Sequence, residues 1–92
     1  MGSAGGEAVT HELKCWPVYW QAVFDHQKTF EIRKADRQYA VGDVLVLNEF
    51  EPDAISGYYT GASVRVGVTA IWRGVPGVEK GYVVMEIQRC NG

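Results

Sequence analysis

The sequence predicts a mixed α/β fold that is mainly β, in which one main helix follows the first strand of a barrel-like sheet of about five to six strands. Short apolar stretches with the two-residue period of strands are separated by turn-forming glycine, proline and aspartate residues. A single stretch near the N-terminus has helical spacing instead. The predicted order is therefore β-α-β-β-β-β, which suits a small barrel with a helix packed at one end.

The chain has 92 residues, which fits one domain. Hydrophobic residues make up 47% of it and aromatic residues 12%, enough for a compact core, while 22% charged residues argue against disorder. Residues 1–8 have the composition of a flexible leader or an expression remnant. The predicted single domain therefore covers residues 9–90.

The formal net charge of −2 excludes a protein that binds polyanions over its whole surface. Basic residues nevertheless cluster in residues 28–37, and acidic residues dominate 43–53. Any contact with nucleic acid must then be local. The absence of a long apolar run predicts no membrane partner, and we expect a cytoplasmic monomer.

Two cysteines, Cys15 and Cys90, lie near opposite ends of the chain. Without a secretory signal in the sequence we expect reduced thiols. A bond between them stays open at this point, because the first and last strands of small barrels are often neighbours.

The first strand is predicted to start near Val9 and to alternate, with Lys14 facing away from the core. Its predicted buried side chains are His11, Leu13 and Cys15. The helix is predicted over residues 17–25, since proline fits a first helical turn. Its apolar stripe, expected in the core, is Tyr19, Trp20, Val23 and Phe24. His26 then takes the left-handed position at the helix end, where glycine is usual.

Residues 28–34 combine strand alternation with a concentration of unlike charges. Phe30 and Ile32 are predicted to face the core, which leaves Thr29, Glu31 and Arg33 on the other face. Lys28 stands at the start of the strand. Such a row can hold a polar ligand, although a solvated salt bridge is an equally common explanation.

Three further strands are predicted towards the C-terminus. Residues 44–47 are apolar on both faces, as in a strand that is covered on both sides. Residues 51–61 form a long connection with Tyr58 and Tyr59 exposed. Residues 62–72 alternate, and 82–88 form the last strand. The side chains predicted to face inward are Val64, Val66, Val68, Ala70, Trp72, Val83, Met85 and Ile87.

The residues argue against metal and cofactor chemistry. His11 and Cys15 lie roughly 13 Å apart on an extended strand, too far to share a metal ion. The glycines form no phosphate-binding run, so no cofactor is expected. An enzyme would have to use Thr29 as nucleophile with Lys28 as base and Glu31 as acid or base.

Nucleotide recognition has better support, because a basic cluster, a carboxylate and exposed aromatic rings suit a splayed base or single-stranded RNA. Core packing is expected for two of the three tryptophans, and Trp16, at the junction of strand and helix, is the best stacking candidate. The predicted binding residues are Lys14, Trp16, Lys28, Thr29, Glu31, Arg33, Arg37 and Tyr59.

Residues 26–33, with Lys28, Glu31 and Arg33 at fixed spacing, resemble the G-x-K-x-x-E-x-R signature of ASCH domains, members of the PUA-like superfamily. Residues 39–47 resemble the family's entry into the next strand, and 11–14 and 81–84 resemble a short bacterial and phage branch. The resemblance covers residues 11–87. It implies a PUA-like pseudobarrel with these three residues in a cleft between helix and barrel, and RNA or a modified nucleotide as ligand.

Two departures from the family pattern matter. His26 replaces the usual glycine. In the branch that resembles an acetylated-cytidine amidohydrolase, a threonine nucleophile occupies the position of Glu31, and a helical insertion supplies a further acid. We therefore expect a binding module, with a small hydrolase acting on a modified nucleoside as the alternative and a protein-interaction module as the third.

Overall fold

The computed structural model describes residues 7–53 and 55–90. Within them the chain forms five strands and one helix in the predicted order. Their bounds are β1 Thr10–Cys15, α1 Pro17–Phe24, β2 Phe30–Lys34, β3 Val44–Glu51, β4 Tyr58–Arg73 and β5 Tyr82–Arg89. The predicted leader falls mostly on residues 1–6, which lie outside the described residues.

The strands form one curled sheet in the order β1-β3-β4-β5-β2. Strand β1 runs parallel to β3, and the other neighbours are antiparallel. The sheet curls into a half-barrel, which confirms the predicted mainly β class with one helix. In the described residues β1 and β2 are the two edges of this sheet, and we call the gap between them the seam.

The core fills the inner side of the half-barrel. The predicted alternation of β1 is confirmed, since His11, Leu13 and Cys15 are buried and Lys14 is exposed. The alternation of β5 is confirmed as well, and β3 is almost wholly enclosed at its centre, as a doubly covered strand should be. The buried side chains of these two strands are Leu45, Val46, Leu47, Val83, Met85 and Ile87.

Helix α1 begins at Pro17, whose missing N–H is not needed in the first turn. It packs against β3 through Trp20, whose ring N–H donates to the Leu47 carbonyl at 3.0 Å. The prediction that Tyr19 and Phe24 are core residues is wrong, because both are exposed. A helix of two turns resting on one strand buries only a narrow face.

His26 has a φ of 63°, the left-handed conformation that the sequence predicted at the end of the helix. Its own N–H bonds the Val23 carbonyl, and the N–H groups of Gln27 and Lys28 both bond the Ala22 carbonyl. These bonds satisfy carbonyls that the last helical turn leaves without helical partners. The turn delivers the chain directly to β2.

The prediction that Phe30 and Ile32 face the core is wrong. Both are more than 40% exposed, whereas Glu31, on the opposite face, is only 3% exposed. The alternation exists, but the outer surface is itself apolar at this point, since Ile32 pairs with Val84 of β5. Sequence alternation identifies two faces without saying which one points inward.

The prediction that Trp72 faces inward is wrong as well. Val64, Val66 and Val68 are buried as predicted, but the pairing of β4 with β5 shifts between Val68 and Ala70. An extra residue in one strand moves every later side chain to the opposite face. Ile71 therefore packs on the core, while Trp72 is 53% exposed.

Several smaller predictions can be compared with the structure. Tyr58 and Tyr59 are exposed as predicted, although they belong to β4 rather than to the connection. The possible bond between Cys15 and Cys90 does not form, because both are free cysteines. No helix in the described part of the chain is long and apolar enough to cross a membrane.

Candidate functional site

The seam of the half-barrel holds a cleft of about 720 Å³, which we call the seam cleft. Its walls are the end of β1, the start of α1 and both sides of β2. Its volume falls in the range of small-molecule sites in proteins. The lining residues are Lys14, Cys15, Trp16, Tyr19, Lys28, Phe30, Glu31, Ile32, Arg33, Lys34 and Tyr82.

Glu31 is the buried centre of the seam cleft. One carboxylate oxygen accepts from Lys28 Nζ at 2.6 Å, and the other accepts from Arg33 Nε at 2.9 Å. Lys28 Nζ also donates to the Phe30 carbonyl at 2.6 Å. Both oxygens are thus held by cations, as a buried carboxylate requires. Glu31 consequently fixes the positions of the two cationic side chains.

The two cations stay partly accessible although their anchor is buried. The Glu31 side chain is 4% exposed, while those of Lys28 and Arg33 are 17% and 23% exposed. Lys14 and Lys34 add two more positive charges to the lining. Four cations therefore face one carboxylate, and that carboxylate is already paired. The local field of the cleft favours an anion, even though the whole chain is acidic.

Aromatic rings form one wall of the seam cleft. Trp16 and Tyr19 stack with ring centres 6.4 Å apart, and both are about half exposed. Lys28 Nζ lies 4.9 Å from the centre of the Phe30 ring and 5.9 Å from that of Tyr19. An exposed aromatic wall beside fixed cations can stack on a planar group and bind an attached anion at once.

A second cleft of about 400 Å³ adjoins the first, and we call it the side cleft. Lys14, Arg33 and Lys34 line both clefts. Arg33 Nη2 donates to the Lys14 carbonyl at 2.9 Å, which joins the two edge strands across the seam. The other lining residues of the side cleft are Glu12, Leu13, Asp36, Arg37, Tyr39, Asn48 and Tyr59.

The structure brings five of the predicted site residues together in the seam cleft, namely Lys14, Trp16, Lys28, Glu31 and Arg33. Glu31 and Arg33 thus lie in a concave cleft beside the helix. Arg37 and Tyr59 line the side cleft instead. Thr29 lines neither cleft. It borders a small depression together with His26 and Arg89.

Sequence reasoning missed part of the aromatic wall. Tyr19 and Phe30 were assigned to the core, and Tyr82 was taken only as a strand residue. Phe50 was also missed, although Lys14 Nζ lies 4.4 Å from the centre of its ring. The one available signal was the position of Tyr19 one helical turn after Trp16, which places the two rings on neighbouring parts of the helix surface.

Cys15 lines the seam cleft but is not an activated thiol. Burial, and next the negative charge of Glu31, raise its pKa to about 11. A nucleophilic cysteine needs a lowered pKa. Among the residues described, no group of three or more His, Cys, Asp or Glu side chains could hold a metal ion.

Comparison with known proteins matches residues 10–87 to the family described as Domain of unknown function (DUF3850). The chain belongs to the DUF3850 family. This DUF3850 chain is also 36% identical over 64 residues to the "Uncharacterized 12.9 kDa protein in GpA 3'region" of Escherichia phage P2. That alignment covers 70% of the chain and 55% of the phage protein, so the chain spans little more than half of its relative.

Proposed function

We propose that the seam cleft of this DUF3850 protein binds RNA or a nucleotide, modified or unmodified, and that the protein acts as a binding module. One observation carries the proposal. Buried Glu31 holds Lys28 and Arg33 side by side in a cleft whose wall is formed by exposed Trp16 and Tyr19.

The phosphate and the base of a nucleotide each have a matching group in the cleft. The phosphate pairs with Arg33 and Lys28, which are held in place before the ligand arrives and so lose little freedom on binding. The base stacks on Trp16, which is 53% exposed. Glu31 acts as a positioning residue, since both of its oxygens already accept from the two cations.

The resemblance to ASCH domains points the same way. Lys28, Glu31 and Arg33 match three positions of the ASCH signature that residues 26–33 resemble, and their side chains form the ion-paired centre of the cleft. The spacing of the signature has a physical role here, because it places both cations on one carboxylate. Membership of the ASCH and PUA-like groups remains a prediction, as does RNA as the ligand.

The proposal is tested by titrating the protein with nucleosides, nucleotides and short RNAs while following backbone amide shifts. Lys28→Ala and Arg33→Ala are each expected to weaken binding about 10- to 150-fold, because charge-assisted hydrogen bonds contribute roughly 1.5–3 kcal/mol. Binding should weaken as salt rises, with a shallow slope set by so few cations.

Arg65→Ala is the matched control, because Arg65 is an exposed arginine that lines neither cleft. It removes the same charge and should leave affinity within about twofold of the parent, given that distant surface charges are screened. Thermal melts of all variants test whether unfolding is the cause of any loss of affinity. A folded Lys28→Ala/Arg33→Ala protein with parental affinity would favour the protein-interaction module instead.

Hydrolysis of a modified nucleoside has weaker support. Thr29 borders a different depression, and both oxygens of Glu31 are engaged by cations, so neither group is placed to attack a carbonyl in the seam cleft. We expect no enzymatic turnover of N4-acetylcytidine when it is incubated with the protein and followed by chromatography. Deacetylation that Glu31→Gln abolishes would establish a hydrolase.

A further inference from the structure

The seam cleft and the side cleft share a basic wall. Lys14, Arg33 and Lys34 line both, and these three cations stand where the clefts meet. The bond from Arg33 Nη2 to the Lys14 carbonyl lies at this boundary, because both of its partners border both clefts. The two clefts are therefore neighbouring basins that are separated by a cationic ridge.

The side cleft has recognition groups of its own. Tyr59 is 56% exposed, and its ring packs edge-on against Phe50 with the ring centres 5.0 Å apart. Asn48 Nδ2 donates to a Glu12 oxygen at 2.8 Å, so a carboxylate and an amide lie fixed beside the ring. A supported aromatic face next to fixed polar groups suits one planar base.

We propose that the two clefts hold successive nucleotides of one single strand, with the phosphodiester that links them on the ridge of Lys14, Arg33 and Lys34. This inference rests on the proposed function and narrows its ligand class. Each cleft has a volume suited to one small ligand, about 720 and 400 Å³. The preferred ligand is then an oligonucleotide of two or more residues, and a mononucleotide occupies only the seam cleft.

The ridge explains why a linked pair binds better than two separate nucleotides. A phosphodiester lies between its two bases, and the shared cations line both the cleft that holds Trp16 and the cleft that holds Tyr59. Binding of the first base makes binding of the second intramolecular, which raises its effective concentration. The ridge is bonded to the backbone of one edge strand, so it is held in position before binding.

The test compares affinities for the four ribonucleoside 5′-monophosphates with those for ApA, CpC, GpG and UpU. At pH 7.5 the monophosphate carries nearly two negative charges, because its second pKa is about 6, and the dinucleoside monophosphate carries one. Simple attraction to the cations therefore favours the mononucleotide. We expect at least one dinucleoside monophosphate to bind 10-fold or more tightly than its mononucleotide.

Two variants locate the second base. Tyr59→Ala should weaken dinucleotide binding about 5- to 150-fold, the range for loss of one stacked base, and leave mononucleotide binding within twofold. Arg37→Ala, which also alters only the side cleft, should act in the same direction. Trp16→Ala should weaken both ligands, because every bound form uses the seam cleft.

The outcomes separate the inference from the function beneath it. A dinucleotide advantage that Tyr59→Ala removes supports the two-nucleotide site. Mononucleotide binding without a dinucleotide advantage overturns the inference and leaves the proposed function standing. A Tyr59→Ala substitution that weakens the binding of both ligands equally leads to the same conclusion. Failure of all eight ligands and of the short RNAs to bind refutes the proposed function and the inference together.

Discussion

Two buried carboxylates are held in different ways: Glu31 by two cations close to it in the chain, and Asp43 by donors from separate parts of the chain. Asp43 accepts from the His11 ring at 2.8 Å and from the N–H groups of Val9 and Ala40 at 3.0 Å. Burial alone would raise the pKa of Asp43, but these hydrogen bonds outweigh it and lower the pKa. This pairing could not be predicted from local sequence, because His11 lies 32 residues from Asp43.

The lowered pKa of Asp43 predicts how stability depends on pH. Its folded pKa lies below its unfolded value, so its contribution is complete above about pH 4 and is lost as pH falls through the folded pKa. Asp43→Asn should lower the free energy of unfolding at pH 7 by roughly 1.5–3 kcal/mol, the range for hydrogen bonds to a charged group. The difference from the parent should narrow below pH 4.

Urea denaturation of both proteins at pH 7 and pH 3 measures this change. Asp36→Asn is the control, because the Asp36 side chain is 59% exposed and should contribute little at either pH. A stability loss in Asp43→Asn that stays constant between the two pH values would show that the charge of Asp43 does not stabilise the fold.

At the scale of elements, the order of the strands and their alternation of side chains were predictable. Which face of each strand points to the core was predicted correctly for some strands and wrongly for others. In β1 and β5 the apolar face is the inner one, and both predictions were confirmed. In β2 the inner face carries Glu31, while Ile32 lies outside against an apolar neighbour. Such a choice depends on long-range pairing, which local sequence does not encode.

The bulge in β4 predicts opposite roles for two tryptophans. Trp20 is buried and bonded to the Leu47 carbonyl, whereas the register shift after Val68 leaves Trp72 exposed. Trp20→Ala should lower the free energy of unfolding by about 3–5 kcal/mol, as expected for a buried aromatic residue. Trp72→Ala should cost less than about 1 kcal/mol, because its exposed ring leaves no cavity.

Chemical denaturation of the two variants, followed by circular dichroism, gives these free energies. Because both substitutions remove the same side chain, any difference between them reports burial rather than residue type. Equal losses for Trp20→Ala and Trp72→Ala would place Trp72 in the core and remove the bulge from β4.

At the scale of the whole molecule, the candidate site exists because β1 and β2, the edges of the sheet in the described residues, do not pair with each other. Lys14 and Arg33 belong to the two edge strands and meet across the seam, although 19 residues separate them. The sequence predicted the charged centre because Lys28, Glu31 and Arg33 are close neighbours in the chain. It missed Tyr19, which the packing of the helix brings to the charges, and Phe30, which was assigned to the core although it precedes Glu31.

The bond across the seam predicts where the ligand-free protein opens first. Arg33→Lys keeps a cation beside Glu31, but it removes the planar group that reaches both Glu31 and the Lys14 carbonyl. Amide hydrogens of β1 and β2 should then exchange about 2- to 12-fold faster, the effect of losing roughly 0.5–1.5 kcal/mol. Amides in the centre of β4, which is paired on both sides, should keep their parental rates.

Hydrogen exchange followed residue by residue distinguishes this local opening from general destabilisation. A general loss of stability speeds exchange in β4 as much as at the edges, because the slowest amides exchange through global unfolding. Arg65→Lys is the control, since Arg65 is exposed on β4 and lines neither cleft. Faster exchange confined to β1 and β2 would show that Arg33 holds the seam together, so that one side chain both shapes the cleft and supplies its charge.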